Sequence, residues 1–219
     1  ADGPDPTERP GTRFAYASSE TQVLGLVLRA AVGRPLADYL SDRIWRPMGA
    51  EADASWLIDN AGMESAYCCV NAVLRDYARL GLLLAHDGRL GGRQIIPSAW
   101  IHAATTVPAD SWHLKPYAAT RYFGYGYQTW IFPGEPRAFA LLGVRGQAIH
   151  VDPASRLVLV HTAVRRLPVD PGGDELAPPV EAPAVAQGAS ARQAPVQRRG
   201  PRGDGRHRLG QGRHELRAA

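Results

Sequence analysis

Phe14-Ala15-Tyr16-Ala17-Ser18-Ser19-Glu20-Thr21-Gln22-Val23-Leu24-Gly25 runs from an aromatic turn into a helix. Pro10-Gly11 feeds the aromatic part, and Val23, Leu24, Val27 and Leu28 recur at helical spacing behind the hydroxyls of Ser18 and Ser19. Tyr16 is therefore expected just ahead of a helix N-terminus. Positive helix-end potential and unpaired N–H groups there suit a phenol that acts as a phenolate-type base. A ring that only closes the loop onto the helix is the alternative for an isolated tyrosine.

Downstream, Leu36, Tyr39, Leu40 and Ile44 share one face of a second helix from Pro35 to about Arg46, which Pro47 and Gly49 end. Ala54–Asp59 reads as a short extended segment before a turn at Gly62. A third helix follows, capped by Asn71 or a neighbour. Leu74, Tyr77, Ala78, Leu80, Gly81 and Leu84 form its apolar side, Arg75, Asp76 and Arg79 are expected to face out, and Asp87-Gly88 stops it. From Tyr122 the texture changes to strand. Tyr122–Phe132 alternates aromatic with small or polar residues, Pro133–Pro136 is a turn, and Ala138–Val144, Gln147–Val151 and Arg156–Val164 read as three further strands. Their short connections predict an antiparallel meander, and helices followed by such a sheet make an α+β pattern.

The order of these motifs resembles the serine β-lactamase and penicillin-binding superfamily. Phe14-x-Tyr16-x-Ser18, Val32-Gly33-Arg34-Pro35-Leu36, Ile44-Trp45-Arg46-Pro47-Met48-Gly49 and Gly91-Gly92-Arg93-Gln94-Ile95-Ile96-Pro97-Ser98-Ala99-Trp100 carry the likeness. It is greatest with the class C-related branch of esterases and 6-aminohexanoate-dimer hydrolases. The resemblance implies a β-lactamase/transpeptidase-like fold and acyl-enzyme hydrolysis of an ester or amide. It makes Tyr16 the partner of an active serine and Ser18 a substrate-side residue. Leu141-Leu142-Gly143 stands where lactamases have Lys-Thr-Gly, so Gly143 would edge the site and Val144 would supply an oxyanion-hole amide, with Arg145 and Gly146 beside the substrate. Without the motif lysine a penicillin-like carboxylate loses its cation, which favours a plain ester or amide; Arg145 could partly replace it.

One departure is large. The family's Ser-x-x-Lys nucleophile motif is missing from these 219 residues, whose only lysine, Lys115, follows Trp112 by three positions. The chain therefore reads as the C-terminal part of such a hydrolase, an incomplete domain that is inactive alone. The lack of an initiator Met agrees with a start inside a longer protein, and Ala1–Pro6 has neither the basic nor the apolar region of a signal peptide.

Rival chemistries find little support in the sequence. There is no Gly-x-Ser-x-Gly elbow to serve His86, His150 or His161, and no histidine or cysteine pair at metal-ligand spacing, so no cofactor is expected. No apolar run is long enough to cross a membrane. Cys68 and Cys69 are adjacent, and neighbours rarely bridge, so they read as packing residues in a reducing, cytoplasmic compartment.

Past Pro168 the periodicity fades. Residues 178–219 hold eight arginines against three carboxylates, a net +5 that exceeds the +4 of the whole chain. Rich in Pro, Gly, Ala and Gln, this tail reads as disordered, and as out-of-frame sequence replacing a C-terminal helix that would begin near Asp174-Glu175-Leu176. A noncatalytic module whose basic tail contacts nucleic acid is the alternative function, weakened by the absence of interleaved aromatics. The expected organisation is a disordered segment at 1–10, the hydrolase part at 11–176 and the disordered tail at 177–219.

Overall fold

The computed structural model describes residues 9–164 and 213–218. Helix α1 spans Ser18–Val32 and ends at Gly33, whose left-handed φ of 67° returns its N–H to the Arg29 carbonyl. Helix α2, Leu36–Leu40, continues into a π-helical turn at Ser41–Trp45, and Pro35 is its N-cap. Strands β1 (Ala54–Leu57) and β2 (Val70–Asn71) pair antiparallel. Helix α3 covers Leu74–Ala85, the β3–β4 hairpin Arg89–Leu90 and Arg93–Gln94, and helix α4 Ser98–Thr105.

The second half is the expected meander. Strands β5 (Gly124–Tyr125), β6 (Trp130–Ile131), β7 (Phe139–Leu142), β8 (Ala148–Asp152) and β9 (Leu157–His161) lie in sequential order, each antiparallel to the next. Helix α3 packs across β8 and β9. Gly81 makes this close approach possible, since a Cβ there would collide with Val158. Phe139, Ile149 and Val151 form the buried centre beneath the helix, flanked by Tyr77, Leu80 and Leu84. A second core gathers Ala37, Trp45, Met48, Ala54, Leu83 and Leu216. The chain thus has the α+β order, helices followed by an antiparallel meander, that the sequence predicts.

Four local expectations are corrected. Tyr122–Phe132 is a tight hairpin and not one strand, because Gln128 takes a φ of 59° and Gly126 N–H donates to the Thr129 carbonyl. Asp76 does not face out: it is fully buried and accepts from the Glu51 and Ala52 amides and from Arg79, while Leu74 of the supposed apolar side is exposed. The cap of α3 is Val73, and the Asn71 side chain turns back to the Cys69 carbonyl. Cys68 and Cys69 are joined by a disulfide, with Cys69 at a φ of 75°. The bond removes the argument from free thiols for a cytoplasmic location.

The tail is corrected in part. Residues Arg213–Leu216 form strand β10 on the outer edge of β1, and Leu216 is fully buried. Polar anchors fix it: Ser41 Oγ bonds both the amide and the carbonyl of Arg217, Asp53 accepts from the Ala218 amide, and His214 Nδ1 lies 2.8 Å from Glu64. Pairing with β1, the buried Leu216 and these long-range hydrogen bonds hold this short segment where composition alone argues for disorder. Segments 1–8 and 165–212, including the expected helix start at Asp174-Glu175-Leu176, lie outside the described residues. No helix of the described residues is long and apolar enough to cross a membrane.

Candidate active site

Tyr16 is placed by the strand-like periodicity of the segment that carries it. Alternate residues of an extended chain point the same way, so Phe14 and Tyr16 both dock on the β5–β6 hairpin. The Tyr16 ring centre is 5.3 Å from that of Trp130 and 6.0 Å from that of Tyr125, and Phe14 lies 5.0 Å from Tyr125. Ala17, at φ −143° and ψ 123°, is the N-cap of α1, which leaves Tyr16 immediately ahead of the helix with 53% of its surface open. Ser18 is the first helical residue and exposed; neither it nor any other side chain caps the helix.

The same helix end is tied to the hairpin turn. Thr21 Oγ1 donates to Gln128 Oε1 at 2.9 Å, and the Tyr125 hydroxyl reaches the same oxygen at 3.3 Å. Burial, reinforced by the neighbouring Tyr16, pushes the Tyr125 phenol well above its ordinary range, so it remains a protonated donor. Trp100 of α4 stacks on Tyr127 of this turn at 5.2 Å, forming an exposed aromatic ledge beside it.

Gly143, Val144, Arg145 and Gly146 form the turn between β7 and β8. Gly143 N–H donates to the Gln147 carbonyl at 2.8 Å, Gly146 N–H to the Gly143 carbonyl at 2.9 Å, and Arg145 N–H to Gln147 Oε1 at 3.1 Å. Gly143 lies against the Gln147 side chain, and Gly146 has a φ of 88°, a conformation that favours glycine. His161 Nδ1 braces the turn from β9 at 2.9 Å from the Gly146 carbonyl. Val144 stands at the tip, 56% exposed, and its amide takes no part in those bonds.

Topology brings the two groups to one end of the sheet. Trp130 pairs with Ala140, so β7 residues beyond Ala140 run level with the residues just before Trp130. In a meander alternate turns share an end. The Gly126–Thr129 turn, which holds the head of α1, and the Gly143–Gln147 turn therefore lie on the same rim.

The motif order, the meander and this rim can be set beside known proteins. The β-lactamase family model matches residues 3–177. The chain belongs to the β-lactamase family. Among its curated relatives, the 6-aminohexanoate-dimer hydrolase of Paenarthrobacter ureafaciens is 25% identical over 150 residues, covering 67% of this chain and 38% of that protein. A solved structure described as a candidate 6-aminohexanoate-dimer hydrolase of Bacillus anthracis superposes with a TM-score of 0.67 at 34% identity, over 75% of this chain and 42% of that one. A candidate β-lactamase of Bacteroides dorei shares the fold, with a TM-score of 0.52 at 21% identity over 72% and 53% of the two chains. This β-lactamase-family chain thus spans about two-fifths of the length of the two hydrolase relatives.

Sequence reasoning missed the supports of the site. Gln128 sits inside an aromatic run that reads as strand, and only its left-handed backbone makes it a turn that can reach Thr21. Glu64 carried no signal at all, yet it is fully buried and binds Arg29 of α1 at 3.1 Å, the Ala37 amide at 3.1 Å and His214 at 2.8 Å. Burial works against its charge, but the His214 and Ala37 hydrogen bonds outweigh it and hold the carboxyl below its ordinary range. Among the described residues no group of three or more His, Cys, Asp or Glu is placed to hold a metal.

Proposed function

We propose that this chain carries the general base and the oxyanion edge of a serine hydrolase that cleaves an ester or amide through an acyl-enzyme. The observation that carries the reading is the placement of an exposed Tyr16 at the head of α1 on the same sheet rim as the Gly143–Gly146 turn. A serine supplied from outside residues 1–219 attacks the carbonyl carbon, and Tyr16 takes the hydroxyl proton. The Val144 N–H donates to the oxygen that becomes negative, and the proton held by Tyr16 passes to the leaving alcohol or amine. Water then releases the acyl group by the same steps. Ser18, Gly143, Arg145 and Gly146 line the substrate side, and Leu141-Leu142 in place of a cationic motif suits substrates without a carboxylate at that position.

On this reading the chain is inactive alone. The test is an activated aryl ester mixed with the 219-residue chain and, separately, with a version extended by a Ser-x-x-Lys portion of a relative. The extended protein gives an acyl-enzyme burst that Tyr16→Phe lowers by about 10²–10⁴-fold, the range for loss of a general base. A burst from the 219-residue chain, or an unaffected Tyr16→Phe protein, overturns the reading.

A further inference from the structure

The loop of residues 59–69 is the bracket that holds α1. Gln22 donates to the Glu64 carbonyl at 3.0 Å and accepts from the Ala66 amide at 2.8 Å, and Arg29 reaches the Gly62 carbonyl at 2.6 Å and the Glu64 carboxylate. The other side of the loop hangs on β1. Trp56 Nε1 donates to the Ser65 carbonyl at 3.0 Å and to the Cys68 carbonyl at 2.8 Å, while the Leu57 amide donates to the Cys69 carbonyl at 3.2 Å. Asn71 Nδ2 donates to that same carbonyl at 3.0 Å. Both cysteine carbonyls therefore belong to the suspension, and the bond between their sulfurs closes a small ring around the peptide that joins them. Within this ring Cys69 is left-handed at a φ of 75°, a conformation that costs a residue with a Cβ far more than it costs glycine.

We propose that Cys68–Cys69 is a reversible thiol–disulfide site, reduced by a protein dithiol, and that its opening loosens the bracket of α1. These are the only cysteines of the chain, so no internal thiol can exchange with them and the electrons must come from outside. Both are half-buried and follow Tyr67, which is exposed, so an incoming thiolate has an approach. The left-handed Cys69 gives the bond a conformational consequence. Ring closure fixes the pair; once the ring is open, Cys69 is free to move toward the extended region that suits it, and its carbonyl leaves the Leu57 amide and Asn71. In the exchange a thiolate of the dithiol attacks one sulfur, the S–S bond breaks, and the second cysteine leaves as a thiolate that takes up a proton. The other thiol of the reductant, after losing its own proton, attacks the mixed disulfide and frees the first cysteine. Two electrons and two protons pass to the pair, the dithiol ends as a disulfide, and a disulfide oxidant reverses both steps. Tyr16 stands at the head of α1, so a looser bracket reaches the proposed base, but the site itself is independent of the catalytic reading.

The test uses the whole 219-residue chain under native conditions, with dithiothreitol as reductant and oxidised glutathione as oxidant. Maleimide labelling read by mass spectrometry counts thiols, and hydrogen exchange follows the loop and α1, with α3 as internal reference. The expected result is no label before reduction, a label on both cysteines after it, and none again after reoxidation. Amides of residues 59–69 and of α1 should exchange about tenfold or more faster in the reduced chain, while those of α3 stay unchanged. Two double variants separate the bond from the backbone it holds. Cys68→Ser with Cys69→Ser should exchange like the reduced chain whatever the reductant. Cys68→Ser with Cys69→Gly should exchange like the oxidised chain, since glycine takes the left-handed turn without a ring. Labelling before reduction, reduction that needs denaturant, an unchanged loop, or α3 exchange that rises as much as that of the loop would each overturn the site as proposed, and so would a glycine variant as loose as the serine one.

Discussion

Helices α1 and α3 are of similar length and both carry a strong apolar stripe, yet they are mounted in opposite senses. α3 presses Gly81 and Leu83 into the body and covers β8 and β9, so its pattern is satisfied inside the chain. α1 presents Gln22, Gly25 and Arg29 to the body and leaves its valines and leucines outside. Each is held at a buried carboxylate, Asp76 for α3 and Glu64 for α1. The difference shows that a helix can be firmly fixed by polar bonds while much of its hydrophobic face stays exposed.

The contrast can be broken most severely at α3. Asp76→Ala leaves the Glu51 and Ala52 amides without their acceptor and Arg79 with Glu51 alone, and should lower the unfolding free energy by about 2–4 kcal/mol, at roughly 1–3 kcal/mol for each donor left unpaired. Urea denaturation measures it; a loss below about 1 kcal/mol would mean that apolar packing alone fixes α3.

A smaller effect is expected under α1. Glu64→Gln removes charge-assisted bonds to Arg29 and His214 and should cost about 1.5–3 kcal/mol near neutral pH. Its pH dependence has a definite sign. Folding holds the Glu64 carboxyl below its ordinary value of 4.5, so its contribution is complete above that pH and is lost as pH falls through the lower folded value. Stability of the parent chain should fall as pH drops below about 4.5, and the fall should be shallower in Glu64→Gln. Parallel acid profiles for the two proteins would remove Glu64 as the anchor of α1.

The smallest effect sharpens the comparison best. Val27→Asp on the exposed apolar side of α1 should change the stability of the isolated chain by no more than about 0.5 kcal/mol, as for other surface substitutions. A larger loss in thermal unfolding would show that this side is covered within the chain.

These outcomes also explain what the residues alone could convey. Periodicity located α1, α3 and β7–β9 to within a few positions, because apolar spacing follows directly from helix and strand geometry. It identified the apolar stripe of α1 but not its direction, since a period defines a face and says nothing of what lies against it. Charge misled at Asp76, where an acid in the first helical turn reads as solvated although backbone amides enclose it. The position of Tyr16 just ahead of α1 was legible because it depends on local signals alone. The His214–Glu64 contact joins positions 150 residues apart, and nothing in either neighbourhood points to the other.

That distance also sets an order of events during synthesis. Ser41 and its partner Arg217 are separated by 176 positions, so at about 5–20 residues per second the ribosome needs roughly 9–35 s after making the first to deliver the second. Until then the outer edge of β1 has no strand beside it. A bare edge is a template for pairing with another chain, so a nascent protein of this sequence passes through a window in which crowding on a polysome favours intermolecular pairing. Slow codons between the two positions would lengthen that window.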